Sequence, residues 1–402
     1  MSVDLDPAEV MSLLEAVQPD VLGWRRHLHA HPEVSFHERE TAEFVYQTLQ
    51  RFDGLELTRP TEFSVVARLA GTAPGPVLAM RADIDALPIT EDNEIEFVSR
   101  NPGAMHACGH DAHTAMLLGT AKVLSHLRER LQGEIRFVFQ PAEELPPGGA
   151  QPLCDSGAID GVDAVIGAHV WTPLPVGTVA VKSGPMMASS DTFELVIRGR
   201  GGHAAQPHMG VDCVAVAAQA IVNLQQIVSR ATDPLKPLVV SITKIHAGTT
   251  NNVIPDVAEL AGTVRSFDPE QRQAVPGIME RVLRGVTQAH GAEYELSYQF
   301  GYRPVLNDPR ISAWVEEALL AEFGRDAVVA PEPSMGGEDF SAYLTKAPGT
   351  FFLIGAGNAA KGLAYPHHNA RFNIDEDALR IGLRAEVHTA LHLLEQLRAG
   401  GR

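Results

Sequence analysis

The sequence predicts an α/β protein: a larger domain with a mostly parallel twisted sheet and helices on both faces, plus an inserted ferredoxin-like α+β domain. Three observations predict it. Short apolar runs, "SVVARLAG", "PVLAMRADIDALP", "EIRFVFQPAEE" and "AVIGAHVW", alternate with turns and helical stretches, which is the pattern of a doubly wound sheet. From about Gly184 the order becomes strand "TFELVIRG", helix "DCVAVAAQAIVNLQQIVSR", strands "PLVVSITKIHAG" and "VAELAGTVRSF", helix "QRQAVPGIMERVLRGVTQAHG" and strand "AEYELSYQF", a split βαβ unit. After it, "PSMGGEDFSAYL", "TFFLIGAG" and a long helical stretch resume the first texture. The middle therefore reads as an insertion, with residues 1–184 and 299–402 forming the larger domain and 185–298 the insert.

At the start of the chain, Asp20 to Phe52 reads as two helices broken at "HAHPEVSF". Pro32 disfavours helical geometry at His31 and lacks a donor. His27, His29 and His31 sit at alternate positions, which face apart on a helix, so they read as structural or supporting groups rather than ligands. Further on, polar residues gather where the strands end, the place where open α/β sheets build their sites. Asp83 and Asp85 close one strand, Glu143 and Glu144 another, and His169 a third.

Composition bounds the function. The 402 residues are 45% hydrophobic and 20% charged, ordinary for a globular chain of two or three domains. The net charge of −18, from 32 Lys and Arg against 50 Asp and Glu, opposes binding to nucleic acid or to an anionic membrane. The opening "MSVDLDPAEVMSLLEAV" lacks the pattern of a signal peptide, and no apolar run is long enough to span a bilayer, so a cytoplasmic protein is expected. Cys108, Cys154 and Cys213, odd in number and widely spaced, do not make a disulfide framework. At least one is free for chemistry.

"MHACGHDAHTAMLLG" concentrates Cys108, His110, Asp111 and His113 ahead of an apolar run suited to a buried helix from Ala112 onward. It lacks the paired CxxC or HxxxH spacing of a structural zinc site, so further ligands must come from elsewhere. "QPAEE" ends a strand with adjacent carboxylates that point to opposite sides, so one can ligate while the other works as a base. Taken singly, these are weak signals: glutamates are mostly solvated, a lone histidine after an apolar strand, as His169 is, is more often a satisfied core residue, and His367 and His368 read as surface histidines. Together, Cys108, His110, a glutamate of the pair, His169 and a late histidine supply sulfur, imidazole and carboxylate. Such a set suits Zn, Mn, Co or Ni better than Mg or Ca.

The ordered motifs "RADIDALP", "MHACGHDAHTAMLLG", "QPAEE", "GAHVW", "GGHAAQPH", "NVIP", "GTVRSFD", "GGEDFSAY" and "HHNARF" resemble the aminoacylase and carboxypeptidase family of dinuclear metallohydrolases. Within it they are similar to the branch of hippurate hydrolases and plant indole-acetyl-amino-acid hydrolases, over nearly the whole chain. The resemblance implies two divalent metal ions per subunit (Mn, Zn, Co or Ni), held by Cys108, His110, Glu144, His169 and His368, with Glu143 as the base. His368 is preferred to His367 because it stands four residues before Phe372, although Ala370 replaces the family's usual proline. Asp83 resembles a carboxylate that orients a ligand. Arg81 stands where other branches carry a ligating histidine, which Cys108 would replace, and Asp111 and His113 support the loop.

The resemblance further implies that the insert is a lid and dimerisation domain. His203 would reach the active site of the partner subunit in a homodimer, with Asn252 and Arg265 contacting the substrate carboxylate. Arg265 reads equally as a solvated strand residue. The implied function is hydrolysis of the amide bond of N-acyl-amino acids, releasing a carboxylic acid and an amino acid. A carboxypeptidase or dipeptidase acting on short peptides is the alternative. A noncatalytic metal-binding scaffold is a third reading, opposed by Glu143 standing beside every expected ligand.

Overall fold

The computed structural model describes residues 6–400. The chain begins with α1 (Pro7–Ala30) and α2 (Arg39–Leu49), followed by β1 (Leu55–Thr58), β2 (Val65–Ala70) and β3 (Ala73–Asp83). Next come α3 (His110–His126), β4 (Gln132–Gln140), α4 (Ala150–Asp155), β5 (Ala164–Pro175), β6 (Val179–Ala180) and β7 (Gly184–Met187). The middle of the chain holds β8 (Ser190–Arg198), β9 (Gly202–His203), α5 (Cys213–Arg230), β10 (Leu238–Ala247), β11 (Val253–Ile254), β12 (Val257–Ser266), α6 (Pro269–His290) and β13 (Glu293–Tyr302). It closes with β14 (Val305–Asn307), α7 (Pro309–Phe323), β15 (Val328–Val329), β16 (Gly349–Gly357) and α8 (Asp377–Arg398). Two compact units result: one takes the residues up to Met186, Leu306–Glu332 and those from Asp339 onward, and the other Met187–Val305 with Pro333–Glu338.

In the first unit an eight-stranded sheet runs in the order β1-β2-β4-β3-β5-β16-β6-β15. The central pairs β4/β3, β3/β5 and β5/β16 are parallel, as is β6/β15, while β1/β2, β2/β4 and β16/β6 are antiparallel. Every residue of β16 is buried, as expected of a strand covered on both faces. Helix α3 buries all its residues except Lys122 and His126, so it is a core helix rather than an amphipathic one. Helices α1 and α8 pack against it closely: a Cβ at Gly119 would lie 2.5 Å from Val21 and 2.9 Å from Leu383.

The structure corrects several expected boundaries. Helix α1 starts at Pro7, well before Asp20, because the Asp6 carboxylate caps it by accepting from the Ala8 N–H at 3.0 Å. It runs through Pro19, whose lost hydrogen bond is outweighed by burial of Val10, Leu14, Val17 and Val21 along one face. The break before α2 falls at Pro32 as expected. Helix α3 begins at His110 rather than Ala112. Strand β4 stops at Gln140, so Glu143 and Glu144 stand on the following loop. His169 lies inside β5, paired with Leu353 of β16, but beyond the last β3 partner of that strand, Gly167. It therefore clears the sheet on the β3 side only.

The second unit carries the sheet β10-β12-β8-β13 with every pairing antiparallel. With α5 and α6 as the crossovers, this is the ferredoxin-like order. Along β8, Phe193, Leu195 and Ile197 are buried while Thr192, Glu194 and Arg198 are exposed, so both helices cover a single face. Val216, Ala220 and Leu224 of α5 and Val275, Met279 and Leu283 of α6 complete that core. Both helices start on aspartate caps, Asp212 and Asp268, a sequence signal for a helix start. No helix among the described residues is long and apolar enough to cross a membrane.

Candidate metal centre

The turn before α3 delivers Cys108 and His110 to one place. Gly109 between them has φ +90°, and a Cβ there would meet Val170 at 2.4 Å, so both conformation and space demand glycine. The Nδ1–H of His110 is held by the main-chain oxygen of Asp85 at 3.0 Å and its carboxylate at 3.2 Å. Its Nε2 is thereby turned inward, 3.7 Å from Asp83 and 3.8 Å from Glu144. The Cys108 sulfur lies 3.5 Å from Nε2 of His169, whose Nδ1 donates to the Val170 oxygen at 2.6 Å. His368 arrives with φ +65°, a left-handed conformation disfavoured for a residue with a Cβ. Its N–H is pinned to the Ala107 oxygen at 2.8 Å, and its Nε2 stands 3.2 Å from Glu144.

Two donor sets emerge: Cys108 with His110 and His169, and Cys108 with Glu144 and His368, the atoms of each within 4.8 Å of one another. Cys108 belongs to both. Further sets join Asp83 with His110 and His113, and His110 with Glu143 and Glu144. Five residues from four separate stretches of the sequence thus converge within the first unit, with Glu143 beside them.

The surroundings fit a divalent cation. The Nε2 of His110 and Oε1 of Glu144 are buried and make no hydrogen bond, an unfavourable state for polar atoms unless something else engages them. The carboxylates of Asp83, Asp85, Glu143 and Glu144 outnumber the Arg81 guanidinium, a field that bound cations would balance. Burial opposes charge on His110, yet Asp83, Asp85 and Glu144 outweigh it and raise the imidazole to about 10, so without a cation the ring keeps a proton on Nε2 that a bound metal would displace. Burial, then Glu144 and Glu143, hold the Cys108 thiol well above its ordinary range, and only a metal would draw out the thiolate there. His169 is held well below the usual imidazole value by burial and then by His113, so it is a neutral donor.

Asp83 accepts from Nδ1 of His113 at 2.6 Å and from Arg81 at 2.6 Å. Nε2 of His113 in turn accepts the Val170 N–H at 2.9 Å, so both its nitrogens are engaged in holding the strand of His169. Asp111 accepts from Arg25 at 3.0 Å and lies 2.8 Å from Nδ1 of His29, an ion-paired brace beneath the loop. Arg81 also reaches Asp339 at 2.9 Å and Gln140 at 2.8 Å. His367 stacks on Trp171 at 4.6 Å, with its Nε2 on the Val170 oxygen at 3.0 Å. Sequence reasoning passed over Asp85 as the group that orients His110, although the alternating carboxylates of "RADID" carried the signal.

His203, Asn252 and Arg265 belong to the second unit. His203 is exposed on β9, opposite Val253 of β11, and the Asn252 oxygen accepts from Ala204 at 3.1 Å, so these two are neighbours. Arg265, half-buried on β12, donates to the main-chain oxygen of Val264 at 3.1 Å and to the Thr263 hydroxyl.

A profile of the peptidase family M20/M25/M40 matches residues 79–392. The chain is 58% identical over 306 residues to an N-acyl-L-amino acid amidohydrolase of Geobacillus stearothermophilus, covering 75% of this chain and 83% of that one. It is 36% identical to the IAA-amino acid hydrolase ILR1-like 4 of Arabidopsis thaliana, over 94% and 87% of the two chains. Among solved structures it matches the Bacillus subtilis YxeP protein, described as a dinuclear metal binding peptidase of the M20 family, with TM-score 0.84, 41% identity and coverage of 95% and 99%. With more than half its length matched and the donor sets of a metal centre in place, the chain belongs to the peptidase M20/M25/M40 family.

Proposed function

We propose that the protein is a metal-dependent amidohydrolase that cleaves N-acyl-amino acids to a carboxylic acid and a free amino acid. The observation that carries this reading is the Cys108 sulfur shared by two donor sets, one with His110 and His169 and one with Glu144 and His368. Two sets joined by one thiolate suit a pair of divalent ions, and the mixture of sulfur, imidazole and carboxylate suits Zn, Mn, Co or Ni. When bound, such ions polarise the scissile carbonyl and acidify water. Glu143 takes a proton from the attacking water and returns it to the departing amine, an acid/base role worth roughly 10²–10⁴ in rate. Its place beside His110 and Glu144 supports this assignment.

The second unit acts as lid and dimerisation domain, and the working enzyme is a homodimer. His203 of one subunit donates to the oxyanion formed in the other, while Asn252 and Arg265 engage the substrate carboxylate, for which a guanidinium fork is well shaped. The cytoplasm, a reducing compartment, suits a centre that depends on a free Cys108. The net charge of −18 supports a small-molecule substrate rather than nucleic acid or an anionic membrane.

The reading is tested by amine release from acetyl-, benzoyl- and indoleacetyl-amino acids and from dipeptides, with Mn or Zn added. Turnover of the acyl-amino acids supports it, and turnover of the peptides alone would favour the carboxypeptidase. No turnover with two ions bound would leave a noncatalytic scaffold.

A further inference from the structure

The pair Glu143–Glu144 follows Ala142, whose φ is +52°. A left-handed backbone is disfavoured for any residue with a Cβ, so the turn must be held. Both main-chain polar groups of Ala142 are occupied: its N–H donates to Oε1 of Glu38 at 2.7 Å, and its oxygen accepts from Gly149 at 3.1 Å. Glu38 is wholly buried at 0% exposure, and its second oxygen, Oε2, makes no hydrogen bond. Burial first, then Asp85, pushes its carboxyl up to about 7. A half-satisfied acid in the core is costly, and an apolar residue would fill the space at less cost. Its presence asks for a reason other than stability.

The geometry around it supplies one. Glu38 stands at the start of α2, where its main-chain oxygen accepts from the Ala42 N–H at 2.9 Å, so the side chain is launched from a fixed point. Three residues earlier, Ser35 donates to Oδ2 of Asp85 at 2.7 Å, the same oxygen that takes the Glu144 N–H at 3.0 Å. One short segment therefore grips the carboxylate pair from both sides, through Ala142 before it and through Asp85 at Glu144.

We propose that Glu38 is a positioning residue for Glu143: by holding the Ala142 N–H it fixes the left-handed turn that aims the Glu143 carboxylate. This rests on Glu143 as the proton carrier. Glu38 touches no reacting atom, and its effect falls on kcat through the aim of its neighbour.

The test compares Glu38→Ala, Glu38→Gln and Glu38→Ala with Ala142→Gly, reading kcat, KM, metal ions bound per chain and the thermal midpoint. Loss of the brace should cost Glu38→Ala roughly 100-fold in kcat, the scale of a 1 Å misplacement, with KM and metal content unchanged. Glu38→Gln, which keeps an acceptor oxygen for Ala142, should stay within about threefold of wild type. Glycine at 142 enters the left-handed region unaided, so the double variant should regain much of the loss. A folded Glu38→Ala with wild-type kcat, a Glu38→Gln as damaged as Glu38→Ala, or a loss of metal matching the loss of kcat would each overturn the proposal. If Glu38→Ala does not fold, Ala142→Val reads the same turn, because a β-branched residue resists positive φ. Unchanged kcat in that variant overturns it too. Glu143→Gln is the control: if it is inactive while Glu38→Ala and Ala142→Val are active, the brace alone fails. If Glu143→Gln keeps its kcat, the assignment of Glu143 fails and the brace with it.

Discussion

His110 turns its Nδ1 to Asp85, 3.2 Å from the carboxylate and 3.0 Å from the main-chain oxygen of the same residue, and so leaves its Nε2 bare among carboxylates. Asp85→Ala should therefore weaken metal binding by about 10- to 100-fold, the usual effect of removing a group that orients a ligating histidine. Isothermal titration with Zn or Mn checks it. An unchanged affinity would mean that the main-chain oxygen of residue 85 orients the ring by itself.

Cys108 should be protected by metal. Alkylating agents are expected to inactivate the metal-free protein several-fold faster than the loaded one, since coordination occupies the sulfur. Burial raises the free thiol, so the metal-free rate should also climb with pH. Equal rates in both forms would remove Cys108 from the ligand set, and Cys108→Ser binding two ions with wild-type affinity would do the same.

Glu386, on α8, is buried with the Thr120 hydroxyl donating to it at 2.6 Å, and burial raises its carboxyl to about 8. The unfolded chain ionises this group near 4.5, so between the two values the folded protein binds more protons than the unfolded one. Stability is then lost as pH rises through that window, by up to about 1.4 kcal/mol per unit. Glu386→Gln removes the dependence. Urea unfolding of both proteins from pH 5 to pH 9 should show the variant gaining on wild type as pH rises, and parallel curves would contradict it.

His203 and Glu143 should complement one another across subunits. Glu143→Ala and His203→Ala dimers are each expected to be nearly inactive, whereas a mixed dimer holds one site with both groups. With random pairing about half the dimers are mixed, each with one whole site, so co-refolding should restore about a quarter of wild-type activity. Mixed dimers verified by differential tags yet inactive would place His203 in service of its own chain.

The sequence by itself carried the alternation of strands and helices, the inserted split βαβ unit, and the residue types of a metal centre, because periodicity and breaks such as Pro32 are local properties. It could not carry the strand order, which set β4, β3, β5 and β16 side by side and so brought Asp83, Glu144 and His169 around His110 from separate stretches. Nor could it show that His113 spends both nitrogens on Asp83 and Val170 while His110 keeps one bare, since two histidines three residues apart look alike until their neighbours are known. The left-handed turn at Ala142 and its brace on Glu38 lay equally out of reach. Alanine gives no local hint of positive φ, and the bond that stabilises the turn comes from a residue far back in the chain, so the conformation exists only in the packed protein.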